Sequence, residues 1–327
     1  MIISRTPFRI SFFGGGTDYP GWYEEHGGAV LSTSFDKYSY ITCRELPPFF
    51  NHKYRIAYSK VENANQISDI QHPAIRAVLG QLDFEGGLEI HCDADLPARS
   101  GLGSSSSFVV GLLHSLTALQ GRRVTAEWLA QESTRIEQTV LQEHVGSQDQ
   151  AAAAHGGLNL IHFQKDGTVR LDPLILPAAR KQDFNDHLML FFTGFSRISS
   201  EIAKAHVINM SKNTDELHQM RAMVDDAVAV LCSGCDIRAL GDLLHQGWMH
   251  KRNMSDQVSN PSIDALYDRA RDSGAIGGKL LGAGGGGFML MFVPPVDQAA
   301  VRAELTELIH VPFSFENSGS QVIYYKP

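Results

Sequence analysis

The sequence predicts a chain of mixed strands and helices folded as two domains, and three observations carry that expectation. Its 327 residues suffice for two packed units with separate cores. Strand-like segments crowd the first hundred residues, whereas long helical patterns follow residue 200. Between two strong strand patterns, Gln164–Asp186 holds a glycine, two prolines and mixed charges, which marks the expected junction. The boundary is set there, giving domains 1–180 and 181–327.

In chain order, Arg5–Phe13, Ala29–Ser34 and Tyr38–Arg44 are β-rich and separated by glycine or charged residues, and Gly87–Ala94 is a further strand. A helix is expected from Ser105 to Gln120, with serines placed to cap its start and Gly121 just past its end. Its interior, FVVGLLHSLTAL, is apolar on nearly every face, so it belongs in the core. A further helix runs from Ala126 to Glu143 with Thr125 as its cap. A short one covers Gln148–His155, and Gly157–Phe163 is again a strand. Beyond the junction come strand His187–Thr193, helices Ser200–Leu231 and Ile237–Asn253, and a helix from Pro261 that ends before Gly274. A glycine loop at Gly282–Gly287 leads into the apolar strand Phe288–Val293, and Gln321–Tyr325 is the last strand.

Composition excludes several classes of function. A net charge of −8 argues against nucleic acid or an anionic membrane as the main partner, since both call for clustered Lys and Arg. No apolar run is long enough to span a bilayer, and MIISRTPFRISFF lacks the layout of a signal peptide, so the cytoplasm is the expected compartment. Four cysteines are too few for a disulfide framework. Cys232-x-x-Cys235 lacks the further ligands of a structural zinc site.

Three glycine-bearing segments carry the chemistry. In TPFRISFFGGGTDYPGW a strand runs into Gly14–Gly16 and then Thr17-Asp18, which suits either a turn facing a ligand or a plain β-turn. In DLPARSGLGSSSSFVV a strand gives way to a Gly/Ser loop and a buried helix, whose N-terminus favours a phosphate. It is not a Walker A loop, because GxxxxGK[ST] is absent. In GGKLLGAGGGGFMLMF four consecutive glycines precede a strand, which fits a backbone lying against a ligand or a tight connection.

Taken together, in this order, these segments resemble the GHMP kinase superfamily, named for galactokinase, homoserine, mevalonate and phosphomevalonate kinases. DLPARSGLGSSSSFVV resembles that family's PxxxGLGSSS phosphate loop, and GGKLLGAGGGGFMLMF resembles its carboxy-terminal glycine motif. RISFFGGGTDYPGW and VGSQDQAAAAHGGLN are most similar to the D-glycero-D-manno-heptose 7-phosphate kinases and the related bacterial fucokinases. A galactokinase would carry Glu-His where Gly15-Gly16 stand, which counts against galactose. The resemblance implies an α+β fold: an N-terminal α/β domain, a ferredoxin-like C-terminal domain and an active site between them. It also implies ATP and Mg2+ as cofactors.

Carried over residue by residue, Asp149 matches the family's catalytic Asp and Arg9 the position filled by Arg or Lys that neutralises charge at the transfer site. Ser100, Gly101, Leu102, Gly103, Ser104, Ser105 and Ser106 match the phosphate loop, and Ser105 with Glu137 the magnesium ligands. Asp18 resembles the residue that holds sugar hydroxyls, with Gly15, Gly16 and Thr17 lining the same pocket and Gly284 and Gly285 also expected to bind the substrate. Arg197, just after a strand, is the candidate clamp for a substrate phosphate, with Arg44 and Lys53 as weaker ones. The expected reaction is phosphorylation of the anomeric hydroxyl of D-glycero-D-manno-heptose 7-phosphate to the 1,7-bisphosphate. A fucokinase or other free-sugar 1-kinase is the alternative. A sugar- and nucleotide-binding regulator without catalysis is disfavoured, because a pure binder needs neither Arg9 nor Asp149. The partners are a sugar phosphate and ATP, and a homodimer stays open.

Overall fold

Apolar residues crowd Ile2–Phe13 (β1) and Gly28–Glu45 (β2), and the two strands form one long antiparallel pair in which Arg9 stands opposite Ser34. The structure, a computed structural model, describes residues 1–84, 86–98, 100–194 and 213–326. From Thr6 to Phe13 every residue of β1 is buried, as in a strand covered on both faces. The two strands expected at Ala29–Ser34 and Tyr38–Arg44 are halves of β2. The charged pair Asp36 and Lys37 between them falls at a bulge opposite Pro7 and Phe8, past which the ladder continues.

Pro20–His26 forms α1, followed after β2 by Tyr54–Ala57 (β3), Val61–Ala64 (β4), Pro73–Gln81 (α2) and Leu88–Ala94 (β5). Ser104–Leu119 (α3) lies on β1 and β2 with ten of its residues buried, as its all-round apolar sequence requires. The helix expected to run to Glu143 is Ala126–Arg135 (α4), which passes into a π-helical turn at Ile136–Val140. Thr125 caps it, accepting the Trp128 N–H at 3.1 Å. Gln148–His155 (α5) and Leu158–Phe163 (β6) follow as expected.

The segment read as an irregular junction is structured. Val169–Pro173 (β7) pairs with β6, and Ala178–Asp186 (α6) spans the expected boundary. Both bury little: β7 is half-exposed, and α6 buries only Phe184, so neither carries an apolar period to read.

Leu188–Phe192 (β8) starts another sheet. Thr214–Cys232 (α7), Ala239–Asn253 (α8) and Pro261–Asp272 (α9) precede Gly277–Leu280 (β9) and Phe288–Phe292 (β10), and Gln298–Glu304 (α10) leads to Ile309–His310 (β11). The order β11-β8-β10-β9, all antiparallel, gives the β-α-β-β-α-β arrangement of a ferredoxin-like unit. The first 13 residues of the helix expected from Ser200 lie outside the described residues. Phe315–Glu316 (β12) and Gln321–Tyr325 (β13) return to the first sheet, pairing with β2 and β1.

One apolar cluster joins both sheets. Phe8, Ile10 and Phe12 of β1 pack with Val224 and Ala227 of α7, Leu290 of β10, and Leu102 and Leu281 from two glycine loops. Each such side chain, fully buried, contributes about 1.5–3 kcal/mol, so the cluster fixes how the two loops approach. A Cβ on Gly282 would stand 2.4 Å from the Gly101 Cα, and one on Gly101 2.5 Å from the Leu281 carbonyl oxygen. Both residues also have positive φ, 71° and 85°, where glycine alone is unstrained.

Gly282→Ala is therefore expected to destabilise the protein by about 1–3 kcal/mol, as overpacking does. Urea unfolding checks this, and an unchanged midpoint would mean that the loops can part without cost.

Candidate active site

The cleft between the two sheets is built around Arg9. Burial in β1 leaves a guanidinium with five donors that need acceptors. Nε and Nη2 meet the two carboxylate oxygens of Asp149 at 2.6 and 3.0 Å, and Nη1 reaches the Gly101 carbonyl at 2.7 Å. The Arg9 backbone N–H donates to Leu102 O at 3.2 Å, so β1 and the loop before α3 are held together by main chain and side chain alike. Asp149 lies in the first turn of α5, where the helix dipole favours its charge.

Gly103 is the N-cap of α3 and sits in the left-handed region at φ 71°. Serine side-chain capping is not what starts this helix. Ser104, Ser105 and Ser106 form its first turn and line the cleft. A Cβ on Gly103 would meet Arg9 Cγ at 3.1 Å and Asp149 Cγ at 3.3 Å, so the ion pair lies directly against the helix start. First-turn amides have no intrahelical acceptors and suit phosphate oxygens.

Asp18 faces the same cleft and is almost fully buried, with its Oδ1 accepting the Gly16 N–H at 2.9 Å. Burial, and then the charge on Asp149, push its carboxyl up to about 6. Gln148 hydrogen-bonds to Asp18 through its side chain and leaves its own Oε1 buried without a partner among the described residues. Ser11 Oγ, beside Gly15, is also buried without a partner among the described residues. Gly15, Gly16, Ser11 and Gln148 all line the cleft.

Glu137 is fully buried in the π-helical turn that ended α4 early. Its Oε2 accepts from Ser106 Oγ at 2.8 Å and from Gln150, while Oε1 has no partner among the described residues. Burial pushes its carboxyl up to about 7. An orphaned buried carboxylate oxygen linked to a first-turn serine fits a hard cation such as magnesium, which takes one or two carboxylates and otherwise phosphates and water. Among the described residues no group of three or more His, Cys, Asp or Glu gathers as a metal centre. Ser106, not Ser105, touches Glu137, while Ser105 is exposed on the cleft rim.

Other residues expected at the site are placed elsewhere. The Thr17 hydroxyl is used on Gly14 O and Ala29 O, away from the cleft. Ser100 donates to Pro97 O, and the Leu102 side chain lies in the shared core. Gly284 and Gly285 pack on Val258, and it is Gly282 and Ala283 that face the cleft. Arg44 pairs with Glu89 on β5, ten residues along β2 from Ser34, or roughly 30 Å at the usual rise. Lys53 lies over the Tyr54 ring beyond that end of the sheet. Arg197 lies outside the described residues. Sequence reasoning missed Lys279 and Lys251, which line the cleft. Lys279 sits inside the third glycine segment, so its position was the available signal. Cys232 and Cys235 are exposed free thiols.

Residues 69–157 match the family described as GHMP kinases N terminal domain, and residues 229–310 match GHMP kinases C terminal. The sequence is 28% identical to a D-glycero-alpha-D-manno-heptose 7-phosphate kinase of Campylobacter jejuni over 97% of both chains. It is 27% identical to an L-fucokinase/L-fucose-1-P guanylyltransferase of Bacteroides fragilis over 92% of this chain and 35% of that one. A solved D-glycero-D-manno-heptose 1-phosphate kinase from Bacteroides thetaiotaomicron superposes with a TM-score of 0.80 at 23% identity, covering 99% of this chain and 100% of that one.

The raised carboxyls of Asp18 and Glu137 have a measurable consequence. Between their ordinary values of 3.8 and 4.5 and their folded values of about 6 and about 7, the folded protein holds protons that the unfolded chain has released. Both groups therefore make stability fall as pH rises through that window. Glu137→Gln is expected to be more stable than the parent at pH 8 and to lose part of this slope. Unfolding titrations at pH 5 and pH 8 check it, and an unchanged slope would show that Glu137 ionises normally.

Proposed function

The chain belongs to the GHMP kinases, and from that premise we propose that it transfers the γ-phosphate of ATP to the anomeric hydroxyl of D-glycero-D-manno-heptose 7-phosphate, giving the 1,7-bisphosphate. The observation that carries the reading is the Arg9–Asp149 pair, set against the start of α3 in the cleft that Asp18 also faces. Phosphoryl transfer asks a protein for positioning and charge neutralisation more than for covalent chemistry. The γ-phosphate rests on the first-turn amides of α3. Arg9 draws the negative charge of the transferred group, and Asp149 takes the proton from the hydroxyl as its oxygen bonds to phosphorus and the bond to ADP breaks. Asp18, with the backbone of Gly15 and Gly16, accepts and donates hydrogen bonds to ring hydroxyls and aims the ring. Glu137 and Ser106 would hold magnesium, which would neutralise charge on the nucleotide phosphates.

The Campylobacter relative, similar along its full length, supports heptose 7-phosphate as acceptor. A free sugar such as fucose is the competing reading. It is favoured by the fucokinase relative and by the distance of Arg44 and Lys53 from the cleft. A binder without catalysis is poorly supported, because the base, the cation and the phosphate loop all stand in one cleft.

Mass-spectrometric screening of ATP turnover over free sugars and sugar phosphates separates these readings. Turnover of heptose 7-phosphate above all others is expected. Turnover of fucose alone would replace the acceptor, and no turnover despite ATP binding would favour the binder. Asp149→Asn keeps the shape and one acceptor for Arg9, so ATP affinity should stay within a few-fold. Its kcat should fall by about two orders of magnitude or more. Near-normal turnover would remove Asp149 from the mechanism.

Asp18 must be ionised to accept hydrogen bonds with both oxygens. With its carboxyl at about 6, the KM for the sugar should rise as pH falls below that value. Asp18→Asn should bind the sugar more weakly, with that pH dependence gone. A sugar KM that is flat from pH 5 to 8 in the parent would contradict this.

A further inference from the structure

Lys251 and Lys279 line the cleft from the C-terminal unit, yet neither forms an ion pair with a carboxylate among the described residues. Lys279 Nζ donates to Phe12 O at 2.8 Å, and its side chain is almost fully buried. Lys251 Nζ donates to Leu280 O at 2.8 Å and Gly282 O at 2.6 Å. An ammonium has three donors, so two protons of Lys279 and one of Lys251 lack an acceptor among the described residues in these contacts. Gly282 is in contact with Gly101, whose carbonyl accepts from Arg9. Phe12 is three residues from Arg9 on β1. Three basic side chains thus line one cleft with the start of α3; among the described residues only Arg9 is ion-paired with a carboxylate, while the charge of Asp18 reaches Lys279 without an ion pair.

We propose that Lys251 and Lys279 form a phosphate-oxygen site that closes the cleft opposite the α3 N-terminus. The buried Lys279 and the half-buried Lys251 hold donors that no acceptor among the described residues uses in these contacts, and a phosphate supplies several acceptor oxygens at once. Burial, followed by repulsion from neighbouring cations, lowers both lysines, Lys279 to about 7 with Asp18 opposing in part, and Lys251 well below its usual range. A bound phosphate would restore their charge. Their proximity to Arg9 puts this phosphate at the transfer point. Its source is then the γ-phosphate of ATP, or else the phosphate carried by the sugar. The proposal rests on the kinase reading of the cleft but not on the identity of the sugar.

Calorimetric titration with Mg-ADP and Mg-ATP tests it on the parent, Lys279→Met, Lys279→Arg and Lys251→Met, each first checked for parental melting behaviour. If the site takes the γ-phosphate, Lys279→Met should bind ATP about tenfold or more weakly while ADP affinity changes less than about twofold, the size expected for a charge-assisted hydrogen bond. Arg should restore part of the loss, and Lys251→Met should behave like Lys279→Met. If the site takes the acceptor's phosphate, both nucleotides bind normally, and affinity is lost for heptose 7-phosphate but not for the free sugar. Affinities unchanged for every phosphate ligand would overturn the proposal and leave the lysines as backbone staples between the units. Equal losses for ADP and ATP would overturn it too. Failure of the sugar-kinase reading is a separate result, seen as absence of turnover in the parent while the ATP and ADP titrations still report on the lysines.

Discussion

Arg9 donates to both oxygens of Asp149 and to the Gly101 carbonyl from a strand whose neighbouring residues are all buried. Three distant parts of the chain are thereby held in one place: β1, the loop entering α3, and the first turn of α5. Removing one partner of such a pair leaves an uncompensated charge in a poorly solvated position, which costs about 3–5 kcal/mol in comparable sites. The same contact is therefore structural and chemical. It holds a cation and a carboxylate at the mouth of a helix that favours phosphate, with no room at Gly103 for even a methyl group unless they move.

The C-terminal unit is positioned by a different force. Phe8, Ile10 and Phe12 share their core with α7 and β10, so the packing that stabilises β1 also sets the approach of the loop at Gly282 to the loop at Gly101. Lys251 and Lys279 enter the cleft as a result of that apolar contact, each held by backbone carbonyls rather than by carboxylates. Non-directional burial brings the units together, and the charged groups are then oriented by specific hydrogen bonds.

The buried acids show how local structure tunes chemistry. Glu137 is on a π-helical turn, and its carboxyl meets Ser106 and Gln150. Asp18 is clasped by the turn at Gly16 and by Gln148, next to Asp149. At neutral pH Asp18, at about 6, is mostly ionised and Glu137, at about 7, is divided between its two forms, so a bound cation would draw Glu137 further to its charged form. The protein gives up stability at neutral pH to keep these groups where ligands can use them.

The long, strongly apolar elements were legible in the sequence. β1, α3, β6 and β10 carry patterns that burial alone dictates, and the three glycine segments mark turns that need special backbone angles. Arg9, Asp149 and Asp18 could be singled out because they lie in or beside the motifs that those segments define. β7 and α6 could not be read, since they bury too little to leave a period. Nor could sequence show that Thr17, Ser100 and Leu102 serve the backbone and core while Ser106, Gln148, Lys251 and Lys279 meet at the cleft. Those assignments depend on which way a side chain points after distant strands and helices have packed. That direction is set by contacts between residues far apart in the chain, 267 positions for Lys279 and Phe12 and 140 for Arg9 and Asp149. Local sequence fixes the backbone preference of a segment, whereas only long-range packing decides the company its side chains keep.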